Sequence, residues 1–191
     1  APVAGLFATD KGGRAEVGDT TGSTLGALAR GEEGGALILS GPGETASSLR
    51  AEAGAAGAVV SMRRSDGSVG FLAGVAQGAS VLSMRNPAGK EVLYAGATAD
   101  HAGVLRLADA AGNEAAAVTT SQGGALLLKD GAGDAVASMA SLGAGKGGVL
   151  ELMNGTGAAT TVFDCKDDGS GRWVLSSGAG NPAFAVEAAG E

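Results

Sequence analysis

The sequence is poor in the residues from which most binding and catalytic sites are built. Its 191 residues include one cysteine, one histidine, four prolines and six aromatic side chains. One cysteine excludes an internal disulfide and a zinc site made of several thiolates. Six aromatic residues leave few side chains on which bases or sugar rings could stack. No stretch approaches 18 consecutive apolar residues, so no membrane-spanning segment is expected.

Large apolar residues and clustered positive charges are also scarce. Leucine, isoleucine, valine and phenylalanine together make 38 of the 191 residues, too few for the core of an ordinary globular enzyme. The formal net charge is −7, and Arg63–Arg64 is the one pair of adjacent basic residues. Because nucleic-acid backbones bind clustered lysine and arginine, nucleic acid is not an expected partner.

Small residues take the place of the large ones. Glycine and alanine together make 76 of the 191 residues. Glycine does not recur at every third position and proline is rare, which excludes collagen. The net charge is too low for a chain that is disordered by charge repulsion. The composition therefore predicts an ordered structure in which small side chains let sheets or chains approach closely.

The chain is a repeat. Glycines bounded by similar flanks recur every 21 to 24 residues, with a mean spacing of about 22.6. An apolar-x-apolar pair precedes most of them by seven and five positions, as in Leu105/Leu107 and Leu150/Leu152. The anchor glycines are Gly22, Gly43, Gly67, Gly89, Gly112, Gly133, Gly157 and Gly180.

Each repeat is expected to run strand, turn, strand, turn. Alternating apolar residues over four to six positions, bounded by Gly, Asn and Asp, predict strands, and frequent glycine argues against helices. The stretch 51–58 is the best helical candidate, but two glycines interrupt it. We therefore predict an all-β fold, a parallel β-solenoid of about eight repeats of about 22–23 residues, in one domain over 1–191. An intertwined β-helix of three chains is the alternative.

The two ends of the sequence read as half repeats, 1–14 and 180–191. Solenoids usually cap their ends, because open strand edges aggregate. Two explanations stay open: the ends join subunits head to tail, or the chain is a fragment of a longer repeat protein.

The periodicity and the L-x-L…G pattern resemble the Gly-rich repeats of secreted bacterial β-solenoids and of phage tail-fibre or tail-spike shafts. The resemblance covers about residues 3–190 and concerns architecture, without a diagnostic motif. It implies an extracellular, mechanically robust and often homo-oligomeric structural element, in the phage shafts built from three chains.

No segment predicts a nucleotide or metal site. Residues 143–148 match G-x-G-x-x-G, but the glycine content produces that pattern by chance, and no strand-then-helix context follows. The acidic stretch 164–169 has Lys166 and Leu175 where a calcium loop needs acidic ligands, so a solvated turn is expected. No cofactor is expected either.

No catalytic residue is predicted. His101, the only histidine, is expected in a surface turn and has no nucleophile motif beside it. Cys165 is expected to be a small buried or half-buried residue, with an intermolecular disulfide as the alternative. The carboxylate pairs at 32–33 and 167–168 belong to different turns, which argues against glycoside cleavage. Asn154-Gly155-Thr156 matches a glycosylation sequon, but an Asn-Gly turn explains it.

Three functions from different classes remain. The first is a non-enzymatic, extracellular structural protein that assembles head to tail into a filament, sheath or matrix. The second is the trimeric shaft of a phage tail fibre or surface adhesin. The third, a polysaccharide-active solenoid enzyme, would need convergent carboxylates and aromatics that the sequence does not supply. In the first two, the expected partner is the chain itself.

Overall fold

A computed structural model describes residues 3–9, 12–21, 23–31, 34–41, 47–76, 79–97, 102–120, 123–143, 146–165 and 168–188. These residues form seventeen β-strands and no helix, which confirms the all-β class. The chain divides into two compact units, Ala1–Gly96 and Ala97–Glu191.

Unit 1 is an antiparallel meander in which each strand pairs with the next along the chain. Its strands have seven or eight residues, and the segment 51–58 forms strand and turn where a helix was the alternative. The strands are β1 (Val3–Thr9), β2 (Gly12–Gly18), β3 (Thr24–Gly31), β4 (Gly34–Ser40), β5 (Ser48–Gly54), β6 (Gly57–Arg63), β7 (Val69–Ala76), β8 (Ala79–Arg85) and β9 (Glu91–Ala97).

Unit 2 is a second antiparallel meander with strands of five to seven residues. The strands are β10 (Gly103–Ala108), β11 (Glu114–Thr119), β12 (Ala125–Lys129), β13 (Ala135–Ser141), β14 (Gly148–Met153), β15 (Ala159–Cys165), β16 (Gly171–Ser176) and β17 (Pro182–Ala188).

The predicted parallel winding is not supported, because every strand pairing described within each unit is antiparallel. Each sequence repeat is a hairpin and its connection to the next hairpin. In a solenoid, the two strands of one repeat would lie in different sheets. Here a short turn reverses the chain and the two strands pair with each other, as short connections favour.

The anchor glycines close turns of one kind. In the turn from Asp109 to Asn113, the Asp109 N–H donates to the Asn113 carbonyl at 2.9 Å, and the Gly112 N–H donates to the Asp109 carbonyl at 3.0 Å. Five further turns repeat this pair of bonds, and their glycines have φ between 77° and 92°, a region that favours glycine. These glycines are Gly67, Gly89, Gly133, Gly157 and Gly180. Gly22 and Gly43 lie outside the described residues.

Most of these turns also shift the strand register by one residue, which is typical of three-residue hairpin loops with a glycine bulge. Most begin with a side chain that caps the turn. Asp109 Oδ1 accepts hydrogen bonds from the Ala111 and Asn113 N–H groups at 2.8 and 2.9 Å. Asp130 and Asn154 do the same in their own turns. The sequence thus specifies most of these reversals locally.

Among the residues that the structure describes, neither unit has a second layer that covers its sheet. Ala27, Ala102, Val174, Ser83 and Ser170 are the only buried residues in the described part of the chain, and none of its large side chains is fully buried. The chain exposes 11726 Å², whereas a folded monomer of 18.1 kDa is expected to expose about 8100 Å². Most apolar side chains described in each unit therefore stand on a sheet face that the unit itself leaves open.

Candidate interaction surface

One face of unit 1 is apolar. Residues that pair across antiparallel strands point to the same side, so the register assigns each side chain to a face. Nine of the exposed large apolar side chains of this unit share one side, which we call its apolar face, and Phe7 is on the other. The nine are Leu6, Val17, Leu28, Leu37, Leu39, Val60, Met62, Val75 and Met84.

Unit 2 has an apolar face of the same kind. Ten of its eleven exposed large apolar side chains lie on one side of the meander, and Leu142 stands in a connection. The ten are Leu105, Leu107, Val118, Leu128, Met139, Leu152, Phe163, Trp173, Phe184 and Val186. Apolar patches this extensive on an isolated chain usually mark a surface that another molecule covers.

Charges occupy the opposite, polar faces. The ion pairs Arg14–Glu16 (2.6 Å), Arg50–Glu52 (2.6 Å), Lys129–Glu114 (2.8 Å) and Arg172–Asp164 all lie there by register. Ser83 and Ser138 donate hydrogen bonds to Glu91 and Glu151 on the same faces. Among the strand residues that the structure describes, Arg30 is the one charged residue on an apolar face.

The apolar faces taper toward one margin. We call the strand ends at the anchor-glycine turns the turn margin and the opposite ends the far margin. On the apolar face, every even-numbered strand carries a small residue at or beside the far margin. These residues are Gly13, Gly35, Ala58, Ser80, Gly103, Gly124, Gly148 and Gly171. Two larger positions follow toward the turn margin, so the even-numbered strands are thin at the far margin, whereas β3 and β7 carry Arg30 and Val75 there.

An aromatic cluster stands on the apolar face of unit 2. Phe163 stacks on Trp173 with ring centroids 5.5 Å apart, and Trp173 meets Phe184 edge to face at 5.7 Å. The three side chains come from consecutive strands and remain 42%, 39% and 47% exposed. Sequence reasoning missed this cluster, since its members are well separated along the chain and meet only in antiparallel register.

The sequence-selected segments fall in separate places. The stretch 143–148 lies between β13 and β14 and ends at Gly148, the first residue of β14, so a strand follows where a phosphate loop needs a helix. Asp164, expected in a turn, lies in β15 and pairs with Arg172; its Oδ2 accepts from Arg172 Nε at 3.0 Å. Cys165, expected to be buried or half-buried, is exposed because it ends β15 on the open apolar face.

The Asn-Gly turn expected at the sequon is present. Asn154 Oδ1 accepts hydrogen bonds from the Thr156 and Ala158 N–H groups at 3.0 Å each. The side-chain Nδ2 of Asn154 donates to the Gly178 carbonyl of another turn on the same margin at 2.7 Å.

The predicted acidic turns are described only in part. Asp168 Oδ1 accepts a hydrogen bond from the Ser170 N–H at 2.8 Å, so this carboxylate caps a turn, as expected. The described residues do not include Lys166, residue 167, the carboxylate pair at 32–33 or His101. Asp168 is therefore the only carboxylate of these two pairs that the structure describes.

Two turn aspartates have altered acidity. The Ser68 side chain and N–H donate to Asp66 and hold the pKa of its carboxyl below the usual value. The Asn113 N–H and side chain do the same to the pKa of Asp109. Both carboxyls are solvent-exposed and serve the turn, so these shifts report local structure.

Nowhere in the described ranges do three His, Cys, Asp or Glu side chains come close enough to hold a metal ion. The same residues contain no helix with the length and hydropathy to cross a membrane. No protein-family model matches the sequence, and no curated protein is similar to it. The apolar faces are therefore the strongest candidate for a functional surface.

Proposed function

We propose that this chain is a non-enzymatic structural protein, a shaft element of a phage tail fibre or surface adhesin in which three copies bury their apolar faces against one another. The observation that carries the proposal is the gathering of nineteen exposed large apolar side chains on two sheet faces that hold almost no charge. The location outside the cell belongs to the same proposal and rests on the resemblance of the repeat to secreted fibres.

The exposed area matches what an obligate oligomer buries. The chain exposes about 3600 Å² more than a folded monomer of its mass. Permanent protein complexes bury about 2000–5000 Å² in their interfaces. At about 25 cal/mol per Å², leaving such a surface in water is costly.

A second copy fits this surface better than an unrelated partner does. The apolar residues recur with every hairpin, at about 9.6 Å for two strand spacings. Another copy of the chain presents the same step, so apolar residues meet apolar residues along the whole face. The polar faces, with their ion pairs, then remain in water.

The taper favours three copies over two. Two sheets packed face to face keep a nearly uniform spacing of about 10 Å and gain nothing from thin margins. Three sheets that meet along their margins converge there, and at the far margin the even-numbered strands carry small residues. With strands of about seven residues, each sheet is about 23 Å wide and its centre lies about 7 Å from the axis, within reach of Leu, Met and Phe side chains.

The test is the mass of the purified chain by sedimentation equilibrium, with a matched pair of variants. We expect about 54 kDa, three times 18.1 kDa. Leu28→Glu places a charge on the apolar face at a side chain that is 61% exposed in the single chain, and should dissociate the assembly. Its neighbour Ala29, on the polar face, provides the control Ala29→Glu, which should leave the mass unchanged.

Four other outcomes contradict the proposal in different ways. A stable monomer that tolerates Leu28→Glu would refute self-association. A dimer would refute the three-copy arrangement, and long unbranched filaments without discrete trimers would favour the head-to-tail assembly expected from the sequence. Loss of assembly with both variants would refute the assignment of the two faces.

A further inference from the structure

We infer that the aromatic cluster of Phe163, Trp173 and Phe184 sets the register in which copies of this chain associate. This inference rests on the proposed function and adds to it the residues that decide how far one copy is shifted along another. The cluster lies on three consecutive strands of one apolar face, with centroid distances of 5.5 and 5.7 Å.

Two copies of a face built from repeats can associate in more than one register. In unit 2 the column of apolar residues farther from the turns is large throughout, as at Leu105, Val118 and Leu150. The column nearer the turns alternates large and small, as at Leu128 and Ala137. A copy displaced by one hairpin, about 9.6 Å, would again place large on large and small on small. The aliphatic part of the face therefore discriminates poorly between registers.

The aromatic cluster breaks this degeneracy, because its pattern is not repeated. Besides its members, the described strands place one aromatic residue on an apolar face, Phe71 in unit 1, while Phe7 and Tyr94 lie on the polar face. A displaced copy would bring the Trp173 ring to positions that accommodate leucine and would leave gaps where the ring belongs. Overpacking and cavities both destabilise an interface, and aromatic residues dominate interface energetics.

The experiment measures distances between copies. A nitroxide is attached to Ala132→Cys, at the exposed tip of a turn in unit 2, in a Cys165→Ser background. Pulsed dipolar spectroscopy of the otherwise unaltered chain should give one narrow distance. A triple variant carries Phe163→Leu, Trp173→Leu and Phe184→Leu, which keep the face apolar. It should keep the mass of the assembly, but its distance distribution should gain populations from copies displaced by steps of about 10 Å across the strands. Phe71→Leu is the control and should retain the single distance.

The failures are distinguishable. A wild-type mass equal to that of one chain, with no dipolar signal, would refute the proposed function itself. An assembled triple-leucine variant with a distribution as narrow as the wild type would refute the register role alone. If that variant does not assemble, the test is the fluorescence emission of Trp173, the only tryptophan, in the assembly of the unaltered chain. A blue-shifted emission that moves to the red on dissociation supports the inference, and an emission typical of water in the assembly overturns it.

Discussion

Units 1 and 2 have the same kind of turn and nearly the same repeat length, but they differ in where the large and small side chains stand on their apolar faces. In strands β5, β7 and β9 of unit 1, the large residue is nearer the turns and the small one farther, as in Phe71 and Ala73. In unit 2 the order is reversed, as in Ala137 and Met139. Both arrangements keep the face apolar, so hydrophobicity alone does not explain them. The position of the small residue determines which column forms a ridge and which a row of gaps.

The far margins differ as well. Four pairs of strands in unit 1 are joined there by two residues, as between Gly54 and Gly57. The corresponding connections of unit 2 have five or six residues, as between Ser141 and Gly148. Because the repeat length is nearly constant, unit 2 has exchanged strand residues for loop residues. The period is therefore set by the hairpin as a whole, and strand length varies within it.

The largest loss of stability is expected from glycine substitutions at the far margins, and it should differ between the two units. An ideal Cβ on Gly34 would overlap the Ala53 carbonyl oxygen, and one on Gly147 would overlap that of Cys165. Both glycines have positive φ. We expect Gly34→Ala to lower the free energy of unfolding by about 3 kcal/mol or more, since Gly34 and Ala53 both lie in the paired strands β4 and β5. Gly147→Ala should cost about 1–2 kcal/mol, because Gly147 lies outside the strands, one residue before β14.

Urea denaturation at one fixed protein concentration measures both, because the stability of an oligomer depends on concentration. Gly155→Ala is the control: nothing lies within 4 Å of its Cβ position, and the change should stay within about 0.5 kcal/mol. Equal losses for Gly34→Ala and Gly147→Ala would show that placement inside or outside a strand does not matter.

The second prediction exchanges the large and the small side chain on the apolar face of one unit 2 strand, so that the strand has the order of Phe71 and Ala73 in unit 1. Ala137→Met combined with Met139→Ala keeps the composition and the apolar face of β13. In a lone sheet this swap would be nearly neutral. In an assembly whose ridges and gaps match, we expect a loss of about 1–3 kcal/mol in the free energy of association, measured by sedimentation. Ala117→Met, on the polar face, should leave association unchanged, and an unaffected swap would contradict shape matching.

The third prediction concerns the turns and their acid sensitivity. Asp109→Ala removes the acceptor of two backbone N–H groups and should lower the melting temperature by a few degrees. Because folding lowers the pKa of Asp109, its contribution is present above the unfolded pKa of about 3.9 and is lost as the pH falls through the lower, folded value.

Asp109→Asn should therefore reduce the loss of stability on acidification while retaining much of the turn. In the unit 1 turn that begins at Asn86, the side-chain Oδ1 of Asn86 accepts a hydrogen bond from the Lys90 N–H at 3.0 Å, and this amide does not titrate. Asn86→Ala should lower stability without changing the slope of stability against pH. A change in that slope would argue against the assignment of acid sensitivity to capping carboxylates.

Much of this fold can be predicted from the sequence, and what the sequence misses has a physical cause. The repeat, the strands and the turn glycines follow from local chemistry, namely alternation and Asp or Asn followed by glycine. Gly112 and its equivalents lie in turns, as predicted. Whether two strands joined by such a turn pair with each other is decided by turn geometry that residue types indicate only weakly. The bulge glycine after Asp109-Ala110-Ala111 was the available signal for a hairpin.

The candidate surface was harder to predict for the same reason. The L-x-L pairs predicted one apolar side per strand, but which side chains become neighbours depends on register. Phe163 and Trp173 are stacked because β15 and β16 are antiparallel with those two residues opposite each other. The exposure of Cys165 likewise follows from a face that the chain does not cover, which composition cannot reveal.

The smallest expected effect compares an ion pair of each unit. Arg14 and Glu16 in unit 1 have side chains that are 45% and 27% exposed, and Arg14→Ala should change stability by less than about 0.5 kcal/mol. In unit 2 the Asp164 side chain is 12% exposed, and hydrogen bonds from Arg172 to Asp164 raise the pKa of Arg172. Arg172→Ala should cost about 0.5–1 kcal/mol, because it leaves a carboxylate with less access to water. Unfolding at low salt and at about 1 M NaCl would separate the two, since screening should weaken the exposed pair more. An equal salt response in both variants would mean that the two polar faces are solvated alike.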